Sequence, residues 1–161
     1  MPPPLLFDLA QIETERVIYD HAFIYERLPH KYEFEFLDGI CNLDRAAETA
    51  IAFVDCPPTA WWARGHVPGR PIMPGVLQIE AAAQLIAFIS RYIDGCGSFI
   101  ALGGVHECRF REPVVPPCRL YILCKLTENR PRRVTGSVQG VVNGKLAFEA
   151  VIQGLAMPDP K

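Results

Sequence analysis

Gly75-Val76-Leu77-Gln78-Ile79-Glu80-Ala81-Ala82-Ala83-Gln84-Leu85-Ile86-Ala87-Phe88-Ile89-Ser90-Arg91-Tyr92-Ile93 is the stretch that decides the fold. It reads as one long helix over about 75–93, started by Pro74-Gly75. Its polar residues are only Gln78, Glu80, Gln84, Ser90 and Arg91. A helix that is apolar nearly all round belongs in a core. Its length approaches that of a membrane span, but Glu80, two glutamines and the Pro-Gly start argue against insertion. Strand-like runs flank it. Residues 33–42 (Glu-Phe-Glu-Phe-Leu-Asp-Gly-Ile-Cys-Asn) begin with alternating polarity, and Ala47–Val54 fits as their hairpin partner. Trp61–Gly65 reads as a short strand. After Gly95 and Gly97 come runs at 98–110, 119–128, 132–142 and 145–156, the last two joined by the hairpin signal Val142-Asn143-Gly144-Lys145. Asp20 caps a short helix over roughly 21–28, closed by Leu28-Pro29. Strands, one buried helix, then more strands predict an α+β fold, with an antiparallel sheet wrapped around a central helix.

Composition limits the rest. The 161 residues fit one domain, and half of them are apolar, enough for a sizeable core. We place that domain at 20–161 and read 1–19 as an N-terminal extension; residues 1–17 carry little pattern. The net charge of −2 gives no reason to expect nucleic acid or anionic membrane as a partner. The start, Met1-Pro2-Pro3-Pro4-Leu5-Leu6-Phe7-Asp8, has no charged n-region or apolar h-region, so no signal peptide is expected. Cysteines at 41, 56, 96, 108, 118 and 124 form no C-x-x-C pair and no zinc spacing. They read as reduced thiols of a cytoplasmic protein, with no metal site. Asn129-Arg130-Pro131-Arg132-Arg133 is a short basic turn, ordinarily a solvated loop, and able to help dock an acidic partner.

The chemistry concentrates just before and inside the long helix. His66 lies in a loop stiffened by Pro68, Pro71 and Pro74, which holds its imidazole at low entropic cost. Glu80 lies on one helix face with Val76, Leu77, Ala83 and Gln84. Burial there predicts a raised carboxyl pKa. A buried glutamate that only hydrogen-bonds across an interface is the plainer reading. Gly75 and Val76 present backbone N–H groups without intrahelical partners, suited to a carbonyl oxygen gaining charge; a glycine that merely permits a tight turn fits there too. Base, acid and oxyanion site together suit proton removal next to a carbonyl. His21, His30 and His106 lack such a setting and read as structural. No phosphate loop, no G-x-S-x-G elbow and no serine or cysteine between His66 and Glu80 suggests a nucleophile.

Gly65-His66-Val67-Pro68-Gly69-Arg70-Pro71-Ile72-Met73-Pro74-Gly75-Val76-Leu77, followed by Ile79-Glu80-Ala81 and Ala83-Gln84, closely resembles the signature of the β-hydroxyacyl-acyl carrier protein dehydratases of bacterial fatty-acid synthesis. Leu28-Pro29-His30-Lys31-Tyr32 resembles the family's Leu-Pro-His-Arg segment, Arg109-Phe110-Arg111-Glu112-Pro113-Val114-Val115-Pro116 its Phe-Arg-x-Pro-Val-Val-Pro strand, and Asn143-Gly144-Lys145-Leu146 its last hairpin. The match covers about residues 20 to 156, and a joint match is far more specific than any one motif. The resemblance implies a hotdog fold and a homodimer with shared active sites, often built further into a trimer of dimers. It implies that His66 takes the α-proton of a thioester, that Glu80 of the other subunit assists loss of the β-hydroxyl, and that the Gly75 N–H holds the thioester oxygen. The acyl chain would occupy an apolar tunnel. The substrate would arrive on the phosphopantetheine arm of acyl carrier protein, with no further cofactor. Glutamate at 80 resembles the branch that only dehydrates; the isomerising branch has aspartate.

The chain departs from the family pattern in several places. Val67 stands for the usual phenylalanine, and Trp61-Trp62-Ala63-Arg64 for a Pro-Phe-Phe-Gln-like run that lines the tunnel mouth. Glu33 replaces a proline, Pro117-Cys118 replaces Gly-Asp, and the first 17 residues are extra. Trp61, Trp62, Val67 and Gln84 are the expected lining of tunnel or interface, with ordinary strand core the equal alternative for one of the two tryptophans. The expected activity is conversion of a 3-hydroxyacyl thioester to the trans-2-enoyl thioester. A hotdog acyl thioesterase and a non-catalytic acyl-binding subunit are the alternatives.

Overall fold

The computed structural model describes residues 3–94 and 98–158. Its elements are β1 (Tyr19–Asp20), α1 (His21–Arg27), β2 (Gly39–Asp44), β3 (Thr49–Cys56), α2 (Gly75–Ala87), β4 (Ile100–Phe110), β5 (Cys118–Arg130), β6 (Arg133–Val142) and β7 (Lys145–Ala156). The strands form one 7-stranded sheet in the order β1-β2-β3-β5-β6-β7-β4, with every neighbouring pair antiparallel. The β6–β7 turn follows from its residues: Asn143 and Gly144 take φ of 49° and 73°, the two successive left-handed positions a tight hairpin needs.

Helix α2 lies across β3 to β7. Ala81, Ala82, Leu85 and Ile86 are buried with Ala50, Ala52, Leu120, Ile122, Val138, Phe148 and Ile152 in the main core. The consecutive alanines bring the helix close to the sheet, and the larger residues fill the space beyond them. The helix changes character at its end. Phe88–Tyr92 form a π-helical turn, in which the Ile93 N–H reaches the Phe88 carbonyl at 2.9 Å. The expected span to residue 93 is therefore present, with its last turn wider than α-helical.

Two expectations need correction. Residues 33–36 are not strand: Tyr32–Phe34 form a 3₁₀ turn, and pairing starts at Gly39. The reason is a side chain that competes with the ladder. The Leu37 N–H donates to the Tyr25 hydroxyl at 2.7 Å and so has no need of a strand partner. Residues 61–65 are also not strand. Tight turns satisfy their backbone, with Ala63 N–H bonded to Ala60 O and Gly65 N–H to Trp62 O.

The sheet has a covered back. Strand β3 buries Ala50, Ala52, Val54 and Cys56 toward α2, while Ile51 and Phe53 point the other way, where they join Cys41, Leu123 and Val141. Leu5, Leu6, Phe7, Leu9 and Ile12 of the N-terminal extension pack on this second cluster. The side chain of Gln139 fastens the extension at both ends of its amide: Leu6 N–H donates to Oε1 at 2.7 Å, and Nε2 donates to the Pro4 carbonyl at 3.1 Å. Each such bond contributes about 1 kcal/mol. Gln139→Ala should therefore lower unfolding stability in urea by about 1–2 kcal/mol and speed amide exchange at Leu6. Unchanged exchange at Leu6 would show that the strap is held without Gln139.

Candidate active site

The loop over 57–74 carries His66 from β3 to α2. The His66 N–H donates to Trp62 O at 3.0 Å, and the Met73 N–H donates to Val114 O at 2.8 Å, which ties the loop's far end to the segment after β4. His66 Nδ1 lies 2.7 Å from the Ile72 carbonyl oxygen. A carbonyl can only accept, so Nδ1 carries the hydrogen, and the Nε2 lone pair of the neutral ring is left for a proton.

The helix begins where Pro74, at ψ 134°, turns the chain into Gly75, and no side chain caps it. Among the described residues, the N–H groups of Gly75 and Val76 meet no acceptor. Gly75 could be no other residue without rearrangement, since a Cβ there would lie 2.6 Å from Cζ of Phe110. His66, Gly75 and Val76 line one groove of about 430 Å³ with Ile72, Phe110 and Pro113. Val76 is 70% exposed, which departs from the expectation of a helix buried all round. The first turn of α2 is the open part.

Glu80 lies in a second, separate place. It lines a small cavity of about 60 Å³ with His30 and Gln84, closed by apolar residues that include Ile86, Ile100 and Ile152. Glu80 Oε1 accepts from Gln84 Nε2 at 2.8 Å and lies 3.3 Å from His30 Nε2. Gln84 is 1% exposed and fully engaged. Its Oε1 takes the Tyr25 hydroxyl at 2.6 Å, and its Nε2 also donates to Phe34 O at 2.8 Å. Gln84 is thus an anchor for Glu80 as well as part of the cavity wall. The other carboxylate oxygen, Oε2, has no protein partner among the described residues. Among the described residues, the groove of His66 and the cavity of Glu80 have no lining residue in common.

Two expectations are reversed here. The Glu80 carboxyl is pulled below its ordinary value, not raised: the His30 hydrogen bond outweighs the desolvation that opposes it, and Gln84 adds to the lowering. His30, read as structural, is that partner. Nothing in spacing connects position 30 with position 80. The available signal was a histidine in a motif-like Leu-Pro-His segment at a helix end. Removing His30 should reveal the desolvation. In His30→Ala, the Glu80 titration followed by carboxyl ¹³C NMR should move upward. The sign for stability follows. A carboxyl with a depressed folded pKa stabilises the fold above its ordinary value of 4.5 and loses that contribution as pH falls through the lower folded value. His30→Ala should therefore flatten the acid side of the stability profile. An unmoved Glu80 titration would show that His30 does not hold the carboxylate.

The tryptophans divide. Trp62 is 6% exposed and packs in the main core, whereas Trp61 is 55% exposed beside the loop; Val67 is also exposed. No three His, Cys, Asp or Glu side chains converge as metal ligands among the described residues. No helix there is long and apolar enough to cross a membrane.

An antiparallel sheet curled on one helix, with a histidine loop leading into the helix start, defines a hotdog-fold protein. Solved structures agree: a chain of the ApeI:P dehydratase heterocomplex of Xenorhabdus doucetiae superposes with a TM-score of 0.73 at 15% identity over 89% of this chain and 94% of that one. The PaaI protein of E. coli gives 0.56 at 12% identity over 74% and 78%. The FabA-like domain family matches residues 28–151. The 3-hydroxyacyl-[acyl-carrier-protein] dehydratase FabZ of Erythrobacter litoralis is 34% identical over 86% of this chain and 96% of its own length. FabZ of Clostridium botulinum strain Okra is 34% identical over 76% and 85%. The chain belongs to the FabA-like family of hotdog dehydratases, on its FabZ side.

Proposed function

We propose that this chain dehydrates 3-hydroxyacyl thioesters carried on acyl carrier protein to the trans-2-enoyl thioesters, as a step of fatty-acid synthesis in the cytoplasm. The observation that carries this reading is the groove in which a histidine with a free Nε2 stands beside two unpartnered backbone N–H groups. His66 Nε2 takes the proton from Cα of the substrate. Negative charge moves to the thioester oxygen, where the N–H groups of Gly75 and Val76 and the start of the α2 dipole receive it. The Cβ–O bond breaks, and the hydroxyl leaves with a proton from Glu80 as water. Side chains and backbone supply every step, and the phosphopantetheine arm of the carrier delivers the substrate.

Glu80 belongs to this chemistry as the partner subunit's contribution. Two observations support a homodimer. The groove of His66 and the cavity of Glu80 have no lining residue in common within one chain. Strand β4 ends the sheet with its outer edge unpaired, and Phe99, Leu102 and Phe110 are exposed on or beside it. Such an edge is a template for a second copy. Burial of Glu80 in a dimer would strengthen the desolvation that opposes its ionisation, the direction a proton donor needs, against the lowering that His30 and Gln84 impose within one chain. The apolar walls behind Glu80 take the acyl chain, and the exposed Trp61 covers the approach.

The test is direct. Purified protein is incubated with a 3-hydroxyacyl carrier protein, and the carrier is weighed by mass spectrometry. Loss of one water is the expected result. Release of free carrier thiol would make the protein a thioesterase, and an unchanged substrate would make it an acyl-binding subunit.

A further inference from the structure

Cys56 and Cys118 stand directly opposite each other at the end of the β3–β5 ladder. Directly opposed residues of antiparallel strands point to the same face, with Cα atoms about 4.5–5.5 Å apart. That range lies inside the roughly 4.4–6.8 Å that a disulfide spans. The Cys56 thiol donates to the Val54 carbonyl at 3.8 Å, so its hydrogen is held within its own strand. Their surroundings differ. Cys56 is 2% exposed, under the histidine loop, with Sγ 3.9 Å from Sδ of Met73. Cys118 is half-buried at the first residue of β5. The Cys118 thiol beside it and burial push the Cys56 thiol up, and the same closeness draws the Cys118 thiol down. A reachable acidic thiol beside a buried one is the arrangement of an attacking and a resolving cysteine.

We propose that Cys56 and Cys118 form a reversible dithiol–disulfide pair that reacts with small-molecule disulfides, and that closing the bridge acts on the His66 loop through Met73. The Cys118 thiolate attacks one sulfur of the reagent RSSR, forming a mixed disulfide and releasing RS⁻. Cys56 gives its proton to solvent and attacks the Cys118 sulfur, expelling the second RS⁻. Two electrons pass from the cysteines to the reagent, and one S–S bond replaces another. The link to the loop is short. In the bridge, Cys56 Sγ sits about 2.05 Å from its new partner and is drawn from its contact with Met73. Met73 follows Ile72, whose carbonyl holds His66 Nδ1 at 2.7 Å.

The probe is oxidised glutathione, applied to the full chain. After alkylation in denaturant and proteolysis, a Cys56–Cys118 linked peptide is expected, two hydrogens lighter than its parts and opened by dithiothreitol. Cys41, Cys108 and Cys124 should remain alkylatable. In Cys56→Ser, glutathione should stay on Cys118, and in Cys118→Ser, Cys56 should stay unmodified at the same dose. A bridge joining other cysteines, or glutathione remaining on Cys118 in the unaltered sequence, would overturn the pairing. The loop is read separately, from the His66 ring ¹H–¹³C resonances. They should shift on oxidation and return on reduction, and in Cys118→Ser they should not respond. Unmoved resonances in the bridged protein would overturn the coupling. Neither readout uses turnover, so a failed dehydratase reading leaves this test intact.

Discussion

His66→Ala should lower kcat/KM for dehydration by roughly 10²–10⁴-fold, the usual contribution of a positioned acid–base group, and leave the fold standing. The structural cost is small for a definite reason. His66 is exposed, and its ring makes a single hydrogen bond, to Ile72 O. Losing that bond costs about 1 kcal/mol, too little to unfold the protein. The chemical cost is large because the groove holds no second histidine. His30 is engaged with Glu80, and His21 with Glu35 at 3.2 Å. Stability is checked by urea titration and activity by the carrier mass assay. Near-normal turnover in a folded His66→Ala protein would remove the histidine from the mechanism.

Subunits that are inactive alone should restore activity when mixed. His66→Ala leaves Glu80 intact, and Glu80→Gln leaves His66 intact while keeping the shape of the side chain. If each active site takes His66 from one chain and Glu80 from its mate, every mixed dimer contains one unaltered site and one site lacking both groups. Random exchange makes about half the dimers mixed, and each has half its sites intact, so about a quarter of the unaltered activity should return. The starting geometry favours this outcome, since one chain keeps its histidine and its glutamate in separate cavities. After exchange verified by mass spectrometry of mixed dimers, a mixture without activity would mean that each site is built within a single chain.

The elements with strong local signals were legible. The Asn143-Gly144 turn, the apolar helix from Gly75 and the four late strands all form near the expected positions because local chemistry and tertiary packing agree there. What escaped was non-local. The alternation Glu33-Phe34-Glu35-Phe36 looks like a strand, but Tyr25 takes the Leu37 N–H and the chain turns instead. Strand β3, Ala50-Ile51-Ala52-Phe53-Val54, is apolar without alternation, the mark of a strand buried on both faces. That pattern requires a cover on the back of the sheet, which Leu5, Leu6 and Phe7 supply in the structure, although residues 1–17 carry too little pattern for the sequence to name them. Of the site, the histidine and helix start could be read from one contiguous stretch. The state of Glu80 could not, because His30 and Tyr25 reach it from 50 or more positions away in the chain, Tyr25 through Gln84.

The strap also sets a schedule for the ribosome. Leu6 and the Gln139 side chain that fastens it are separated by 133 positions. The apolar strap therefore leaves the ribosome well ahead of its clamp. At cellular elongation rates of about 5–20 residues per second, it waits on the order of ten seconds without a seat. For that time Leu5-Leu6-Phe7 is a short apolar stretch of growing chain, open to chaperones, proteases and stray strand edges. The prolines directly before it, Pro3 and Pro4, cannot donate to a strand ladder and so guard that end against mispairing until its seat is built.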